Sequence, residues 1–388
     1  MVSGSLSRGA DYSHVTAGGF DFHDEPSSNC GPQCTTRPRA TAGQYSTNLF
    51  SARARQIVEQ HDTSRGLFLY LAYQGVHEPR EAPDRYVAPY KTRIRDDGRR
   101  VFAGMIAALD EGLGNVTSAL SAKGMLDATL ILVTTDNGGP TTECSTTGQS
   151  NWPLRGSKCS VWEGGTRGTA FISWAGLPTA VRGRPHDGLA HAADLMPTLV
   201  SAVGSRLWVN ETLPLDGIDL WGALLANATS PRTSVYYGIS QDQKGPAVRD
   251  DLGWKLVTRG GGGGRGAWSK EQLPNSSSSC VVDEAYNQLS LLGAAHGPHE
   301  STAAAFAEDD LLFYLPDDRG EHHPLDLATH TDVVVKLRAL VVEYERTKVP
   351  QVTNDPACPD FAPIDGPDGK WIGPWCDGVT VSDHDYHD

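Results

Sequence analysis

The chain has 388 residues, of which 39% are hydrophobic, so it can bury a large core in one domain or in about two or three smaller ones. Its formal net charge of −14 argues against nucleic-acid binding and against anionic membrane surfaces, because both depend on Lys and Arg neutralising phosphates. No apolar run reaches the length of about 18 residues that a membrane span needs, so we expect no transmembrane segment. An anionic substrate therefore requires a local basic pocket.

The beginning of the chain predicts a loop and shows no targeting signal. Met1–Ala42 is rich in Gly, Ser, Pro and His, and Met1–Phe20 has no apolar segment like that of a signal peptide. The seven cysteines nevertheless suit an oxidising compartment, and their odd number leaves at least one without an internal partner. We therefore expect the natural N-terminus to lie upstream of Met1. Asn-X-Ser/Thr sequons, which suit a secreted or lysosomal glycoprotein, stand at Asn115, Asn210, Asn227 and Asn275.

The first predicted elements alternate between helix and buried strand. Helical spacing of apolar residues predicts helices over Tyr45–Glu59 and Phe102–Leu120. The short apolar runs Leu67–Ala72 and Leu130–Val133 are typical of strands buried on both faces of an α/β sheet. The second run leads directly into Asp136–Gly139. This order predicts a βαβ arrangement, whose sheet places ligands at the carboxyl ends of its strands.

The following elements change from an α/β pattern to an antiparallel one. Thr169–Trp174 predicts a third strand and Ala193–Val203 a third helix. Farther along, Val235–Ile239, Ala247–Val257 and Leu311–Leu315 predict antiparallel strands of a smaller domain.

The chain therefore divides into three predicted regions. Residues 1–230 form an α/β large domain that lacks its N-terminal part, and residues 351–388 form a tail. Residues 231–350 form a small C-terminal domain, in which the helix Thr331–Thr347 packs on the antiparallel sheet. The Gly- and Ser-rich stretch near 259–279 predicts a disordered surface loop in that domain.

Asp136–Gly139 is the first group of residues that suggests chemistry. Side chains of successive strand residues point to opposite faces, so Asp136 and Asn137 reach one ion only where the backbone turns, and the two glycines permit that turn. Carboxylate and amide oxygens are hard ligands, suited to Ca²⁺ or Mg²⁺ rather than to zinc. The alternative is an Asx turn that simply ends the strand.

Two further segments carry groups suited to an anionic substrate. His77 follows the Leu67–Ala72 run, where its imidazole can donate a hydrogen bond to an anionic oxygen. Arg155 and Lys158 lie in a polar, Gly-rich stretch that fits an anion pocket, with Lys158 as a compact point charge. Taken alone, each segment also fits an ordinary loop, namely a loop histidine and a solvated basic loop.

The ordered set of these motifs closely resembles the sulfatase family, and within it the arylsulfatase B type with its arylsulfatase I and J relatives. The resemblance rests on His77–Pro79, Thr135–Gly139, Asn151–Lys158 and Trp162–Gly168, and it extends from about Tyr12 to Trp375. Further matching segments are Asp194–Leu199, Leu215–Asp219, Val248–Leu256 and Trp371–Trp375.

The resemblance implies a fold, a reaction and roles for the residues. It implies an alkaline-phosphatase-like large domain with a central mixed sheet flanked by helices, and hydrolysis of sulfate esters through a formylglycine formed from cysteine. Asp136 and Asn137 match calcium ligands. His77 and Lys158 match residues that bind the sulfate ester and assist the leaving oxygen, and Arg155 is a further candidate for substrate binding. The expected substrate is a sulfated carbohydrate, such as galactosamine 4-sulfate in glycosaminoglycans, or an aryl sulfate ester.

The sequence departs from the family at the nucleophile. No Cys-x-Pro-x-Arg conversion site, Gly-Lys-Trp-His-Leu-Gly segment or early Asp-Asp metal pair is found, so we expect the chain to be inactive alone. Cys34–Pro38 and Ser51–Arg55 only imitate the conversion site. Asp250–Asp251 imitates the metal pair but is expected within a strand. The resemblance also implies that Cys358 pairs with a cysteine in a missing region.

Two other functions remain open from the sequence. One is a secreted, non-catalytic protein that binds sulfated glycans through Lys158 and His77. The other is a phosphatase or phosphodiesterase of the same superfamily, which the absence of paired zinc-binding histidines beside Asp136–Asn137 argues against. The sequons and the family indicate a lysosomal or extracellular location.

Overall fold

The computed structural model describes residues 44–77, 80–140, 148–158, 160–205, 215–238, 246–258, 310–347, 363–366 and 369–372. The chain forms two compact units. The first contains Met1–Arg93, Arg100–Lys123 and Pro350–Asp388, and the second contains Ile94–Arg99 and Gly124–Val349. The predicted boundary near residue 230 stays a prediction.

Helices dominate the described part of the first unit. These are α1 (Ser46–Gln60), α2 (Asp84–Val87), a 3₁₀ turn at Ala88–Tyr90 and most of α3 (Asp97–Ala122). Both long helices predicted from apolar spacing are confirmed. The buried residues of α1 include Phe50, Ala54 and Val58, which recur every fourth position and so form one face of the helix.

The predicted buried strand Leu67–Ala72 is wrong. This segment joins no ladder among the described residues, and the side chain of Phe68 is 84% exposed. An apolar run supplies hydrophobic surface, but a strand also needs a neighbouring strand to satisfy its backbone N–H and C=O groups. The predicted βαβ arrangement is therefore not formed in the described chain.

The second unit begins with a small antiparallel sheet instead. After a 3₁₀ turn at Leu126–Ala128, β1 (Ile131–Thr134) pairs with β2 (Ala170–Ser173), so that Leu132 lies opposite Ile172. Both strands were predicted. Between and after them lie α4 (Glu163–Thr166), a 3₁₀ turn at Ala192–Asp194, α5 (Leu195–Ala202) and α6 (Trp221–Ala226). Of these, α5 confirms the predicted third helix.

A four-stranded antiparallel sheet follows in the same unit. Its strands, in spatial order, are β3 (Ser234–Tyr237), β4 (Ala247–Asp250), β5 (Trp254–Val257) and β6 (Leu311–Tyr314). The expected single strand over Ala247–Val257 is a hairpin, whose turn uses Gly253 with a φ of 94°. Asp250 thus ends β4 and Asp251 lies in the turn, rather than both lying within a strand.

The core of the second unit lies on both faces of this sheet. On one face, Val248, Leu256 and Leu312 pack against Val334 and Leu337 of α7 (Thr331–Thr347), which follows a 3₁₀ turn at Leu327–His330. On the other face, the packed residues are Val161, Trp162, Ala247, Val257, Phe313 and Leu315. The antiparallel strands and the closing helix predicted for this region are confirmed.

Other predicted features fall largely outside the described residues. These are the Met1–Ala42 loop, the 259–279 loop and every cysteine, including those in Cys34–Pro38 and the expected pairing of Cys358. In the tail, β7 (Pro363–Gly366) pairs antiparallel with β8 (Gly369–Ile372). None of the helices in the described ranges combines the length and the hydropathy that crossing a membrane requires.

Candidate functional site

The Asp136–Gly139 turn leaves β1 and binds through its backbone to two other segments. The amide of Gly138 donates to the carbonyl of Gly165 at 3.0 Å, and the carbonyl of Gly139 accepts from the amide of Lys158 at 3.2 Å. Asn151 joins the same contact, since its Oδ1 accepts from the Gly139 amide and its Nδ2 donates to the Gly139 carbonyl, both at 2.9 Å. The structure therefore brings the segments of Asp136, Asn137 and Lys158 together.

Glycine is required at this contact because the backbones approach too closely for any side chain. A Cβ at Gly138 would overlap the carbonyl oxygen of Gly164, and a Cβ at Gly164 would overlap that of Arg155. The Gly-Gly pairs of both motifs thus serve backbone packing as well as turning.

Asp136 and Asn137 present the oxygen atoms that a hard cation prefers. Oδ1 of Asp136 accepts from the amide of Asn137 at 2.8 Å, and Nδ2 of Asn137 donates to the carbonyl of Gly138 at 2.8 Å. This leaves Oδ2 of Asp136 and Oδ1 of Asn137 as candidate ligands, and the donor set fits Ca²⁺. Within the described ranges no group of three or more His, Cys, Asp or Glu residues is arranged to hold a metal ion. The pair thus supplies only part of a shell of about six to eight oxygens.

Arg155 lies inside the protein, although the sequence predicted a role in substrate binding. Its side chain is 2% exposed and donates from Nη1 to the carbonyl of Glu321 at 3.1 Å. The guanidinium also stacks on Trp162, 3.7 Å from the ring centre. These contacts anchor the loop that carries Lys158, and a contact of Arg155 with substrate stays a prediction.

A buried ion cluster, made of Lys255, Glu163 and Glu321, lies next to this loop. Nζ of Lys255 is 3.0 Å from Oε1 of Glu163 and 2.7 Å from Oε1 of Glu321. Burial lowers the pKa of Lys255, but the two carboxylates outweigh it and hold that pKa above its ordinary value. Burial also raises the pKa of Glu321, and for Glu163 the neighbouring cations overcome burial and lower the pKa.

Sequence reasoning gave the buried ion cluster no role. A signal existed, because Lys255 lies between Trp254 and Leu256 in an apolar strand, where a charge needs a partner. Its partners are far away in the sequence, and no local pattern identifies them. Glu321 has a φ of 55°, in the left-handed region that residues other than glycine rarely adopt.

The remaining predicted site residues do not belong to the segments around Asp136 and Lys158. His77 belongs to the first unit, is exposed, and donates its backbone amide to the carbonyl of Gln74 at 3.0 Å. Of the sequon asparagines, Asn115 is exposed on α3 and Asn227 is exposed at the end of α6, whereas Asn210 and Asn275 lie outside the described residues. The roles of all these residues stay predictions.

Comparison with known proteins identifies the family. The family model described as Sulfatase matches residues 5–205, a little over half of the 388 residues. The chain belongs to the sulfatase family. Mouse arylsulfatase J is 33% identical to this sulfatase chain over 353 residues, which cover 86% of the chain and 54% of arylsulfatase J. The sulfatase chain thus spans about half the length of this curated relative.

Solved structures confirm the alkaline-phosphatase-like α/β fold of the sulfatase chain. PsFucS1 sulfatase from Pseudoalteromonas sp. matches with a TM-score of 0.58 and 21% identity, over 78% of this chain and 52% of that one. Ps i-CgsB in complex with k-i-k-neocarrahexaose matches with a TM-score of 0.58 and 24% identity, over 78% of this chain and 55% of that one.

Proposed function

We propose that this chain binds sulfate esters in the manner of the sulfuric ester hydrolases of the arylsulfatase B type, with sulfated carbohydrate as its ligand class. Galactosamine 4-sulfate in glycosaminoglycans is the candidate substrate, and aryl sulfate esters are simpler ones. The observation that carries the proposal is the hydrogen bond from the Lys158 amide to Gly139, which joins the segment of a candidate sulfate-binding cation to the turn of two candidate metal ligands.

Each residue has a physical role in this proposal. Lys158 would neutralise a sulfate oxygen as a compact cation, and the resemblance to the family assigns to His77 the donation of a proton toward the leaving ester oxygen. Asp136 and Asn137 would hold a calcium ion, and the chemistry it would supply is the withdrawal of charge from the sulfate oxygens. During ester cleavage, such groups would stabilise the charge that builds up as the ester bond breaks.

Turnover also requires a nucleophile. The sequence contains no Cys-x-Pro-x-Arg site from which formylglycine could be made. We therefore expect this chain alone to bind sulfated glycans without hydrolysing them. The carbohydrate class is supported by the oligosaccharide complex of Ps i-CgsB, and a lysosomal or extracellular glycoprotein is supported by the exposed sequons at Asn115 and Asn227.

The test is calorimetric binding of a chondroitin 4-sulfate oligosaccharide in the presence of calcium. Lys158→Ala should weaken binding about 10- to 100-fold, because a charge-assisted contact contributes roughly 1.5–3 kcal/mol. Lys91→Ala is the matched control, since Lys91 is an exposed lysine to which the proposal gives no role, and it should bind like the parent.

Three results would contradict parts of the proposal. If Lys158→Ala binds as tightly as the parent, Lys158 does not contact the sulfate group. The metal role of Asp136 and Asn137 is contradicted if binding does not depend on calcium, or if Asp136→Ala binds the oligosaccharide as tightly as the control Asp127→Ala. Release of 4-nitrophenol from its phosphate ester and not from its sulfate ester would favour the phosphatase alternative.

A further inference from the structure

We propose that the buried ion cluster of Lys255, Glu163 and Glu321 positions two segments. One is the Asp136–Gly139 turn, and the other is the loop between Arg155 and Glu163 that carries Lys158, called here the Lys158 loop. Lys255 is then a positioning residue for the site, although it lies on β5 of the four-stranded sheet. That Lys255 affects ligand binding rests on the proposed function. That Lys255 fixes the arrangement of the turn and the loop does not.

The first step is the contact between β5 and the loop. Lys255 is fully buried, and Nζ donates to the carbonyl of Val161 at 2.8 Å and to Oε1 of Glu163 at 3.0 Å. One side chain of the sheet therefore fixes both the main chain and a side chain at the end of the loop. On β4, Arg249 adds a second cation, with Nη1 at 3.3 Å from Oε2 of Glu163.

The second step leads from Glu163 to the candidate metal ligands. Glu163 begins the short α4, and the next two residues are the glycines that contact the turn. The amide of Gly164 donates to the carbonyl of Arg155 at 2.7 Å, and the carbonyl of Gly165 accepts from the amide of Gly138. A shift of Glu163 therefore moves the partners of Gly138, which follows Asn137 directly.

The third step is the binding of Glu321 to both ends of the Lys158 loop. Oε2 of Glu321 accepts from the backbone amide of Glu163 at 2.8 Å, and the carbonyl of Glu321 accepts from Arg155 at 3.1 Å. Lys158 lies between these two anchored residues. Glu321 thus fixes the loop from both sides, and Lys255 in turn pairs with Glu321 at 2.7 Å.

The buried ion cluster is better suited to fixing the arrangement of the loop than to stabilising the fold. A buried ion pair is often no more stabilising than apolar side chains of the same volume, because both charges lose their water. An apolar residue at position 255 would fill the space, but it would not bind the oxygens of Val161, Glu163 and Glu321 in one arrangement. The charged residues therefore specify a geometry that packing alone leaves open.

Hydrogen–deuterium exchange of the full chain tests the positioning directly. In Lys255→Met, exchange at the amides of Gly138, Lys158 and Gly164 should rise about 10-fold or more, because local opening becomes easier. The amides of the β3–β6 ladder should keep their protection. If Lys255→Met does not fold, Arg249→Met carries the test, since the side chain of Arg249 is partly exposed and contacts the same carboxylate.

Lys336→Met is the matched control. Lys336, on α7, pairs with Asp250 of β4 at 2.8 Å rather than with the loop, so its loss should leave the three loop amides unchanged. The proposal is overturned if the loop amides of the folded variants exchange like the parent's. It is equally overturned if the ladder amides rise as much as the loop amides, since that result means a general loss of stability.

Binding of the chondroitin 4-sulfate oligosaccharide is measured on the same proteins. If the parent binds, affinity should fall at least about 10-fold in Lys255→Met and stay unchanged in Lys336→Met. A parent that does not bind would contradict the proposed function, and the exchange experiment would still decide whether the cluster positions the loop.

Discussion

The two sheets described in the second unit are both antiparallel, yet they differ sharply in burial. In the β1–β2 sheet, Phe171 remains 48% exposed, and no strand residue is fully buried. In the β3–β6 sheet, Val248, Leu256 and Leu312 are completely buried. The difference is the presence of a packed layer, since α7 covers one face of the larger sheet and the Val161–Trp162 loop covers the other.

This comparison shows that strand sequence and strand burial are separate properties. Within the described ranges no layer fully buries the apolar strand Ile131–Thr134, whereas Trp254–Val257 is mostly buried even though it contains a lysine. Burial depends on which elements pack over a strand, and these elements come from distant parts of the chain.

The largest effect should come from removing a core side chain of the larger sheet. Leu256→Ala should lower the free energy of unfolding by about 4 kcal/mol, because it leaves a cavity between β5 and α7. Urea unfolding followed by circular dichroism measures this loss. A change below about 1 kcal/mol would mean that this face does not pack as described.

A somewhat smaller effect is expected at the ion pair that links the 3₁₀ turn Ala192–Asp194 to the segment just before β3. Asp194 and Arg232 are both buried, and Nε of Arg232 donates to Oδ2 of Asp194 at 2.6 Å. Asp194→Asn should cost about 3 kcal/mol at neutral pH, because it leaves the arginine without its counter-charge.

The pH dependence of that variant gives a second measurement. Burial raises the pKa of Asp194, but hydrogen bonds from Arg232 and two backbone amides outweigh it and hold the pKa below its ordinary value. The stabilisation is therefore complete above the ordinary carboxyl pKa of about 4 and is lost as the pH falls through the lower folded value. The difference in free energy of unfolding between the parent and Asp194→Asn should shrink below about pH 4. A constant difference down to pH 2 would contradict the assignment of this stabilisation to the Asp194 carboxylate.

The smallest effect should come from the exposed sheet. Phe171→Ala should change the free energy of unfolding by less than about 1 kcal/mol, because a half-exposed ring loses little buried area. Measured beside Leu256→Ala, it tests the contrast between the two sheets. A loss as large as that of Leu256→Ala would show that β2 is covered in solution.

Much of the fold could be predicted from local patterns. The apolar spacing of α3 and α7 identified both helices, and the turn-bounded strands from Ser234 to Tyr314 were recognised as an antiparallel domain. The Leu67–Ala72 strand was wrong because an apolar run does not reveal whether a partner strand exists. The hairpin within Ala247–Val257 was missed because the apolar residues on both sides of the turn at Gly253 were interpreted as one continuous strand.

The candidate site was predicted only in part, for a related reason. Asp136, Asn137 and Lys158 belong to motifs with recognisable residue types, and the structure brings their segments together. The supporting residues Lys255 and Glu321 act through contacts between segments that are distant in the sequence. A single sequence shows that Lys255 needs a counter-charge, but it does not show which carboxylate supplies it.

The contact between Gly138 and Gly165 also affects how the protein ages chemically. In an Asn-Gly sequence, the glycine amide nitrogen can attack the side-chain carbonyl carbon of asparagine and expel ammonia, and water then opens the resulting ring to aspartate or isoaspartate. Here the nitrogen of Gly138 is engaged with the carbonyl of Gly165, and the side-chain amide of Asn137 is hydrogen-bonded to the carbonyl of Gly138. Folding therefore protects the side-chain amide of Asn137 from conversion to a carboxylate, which would place a second negative charge beside Asp136.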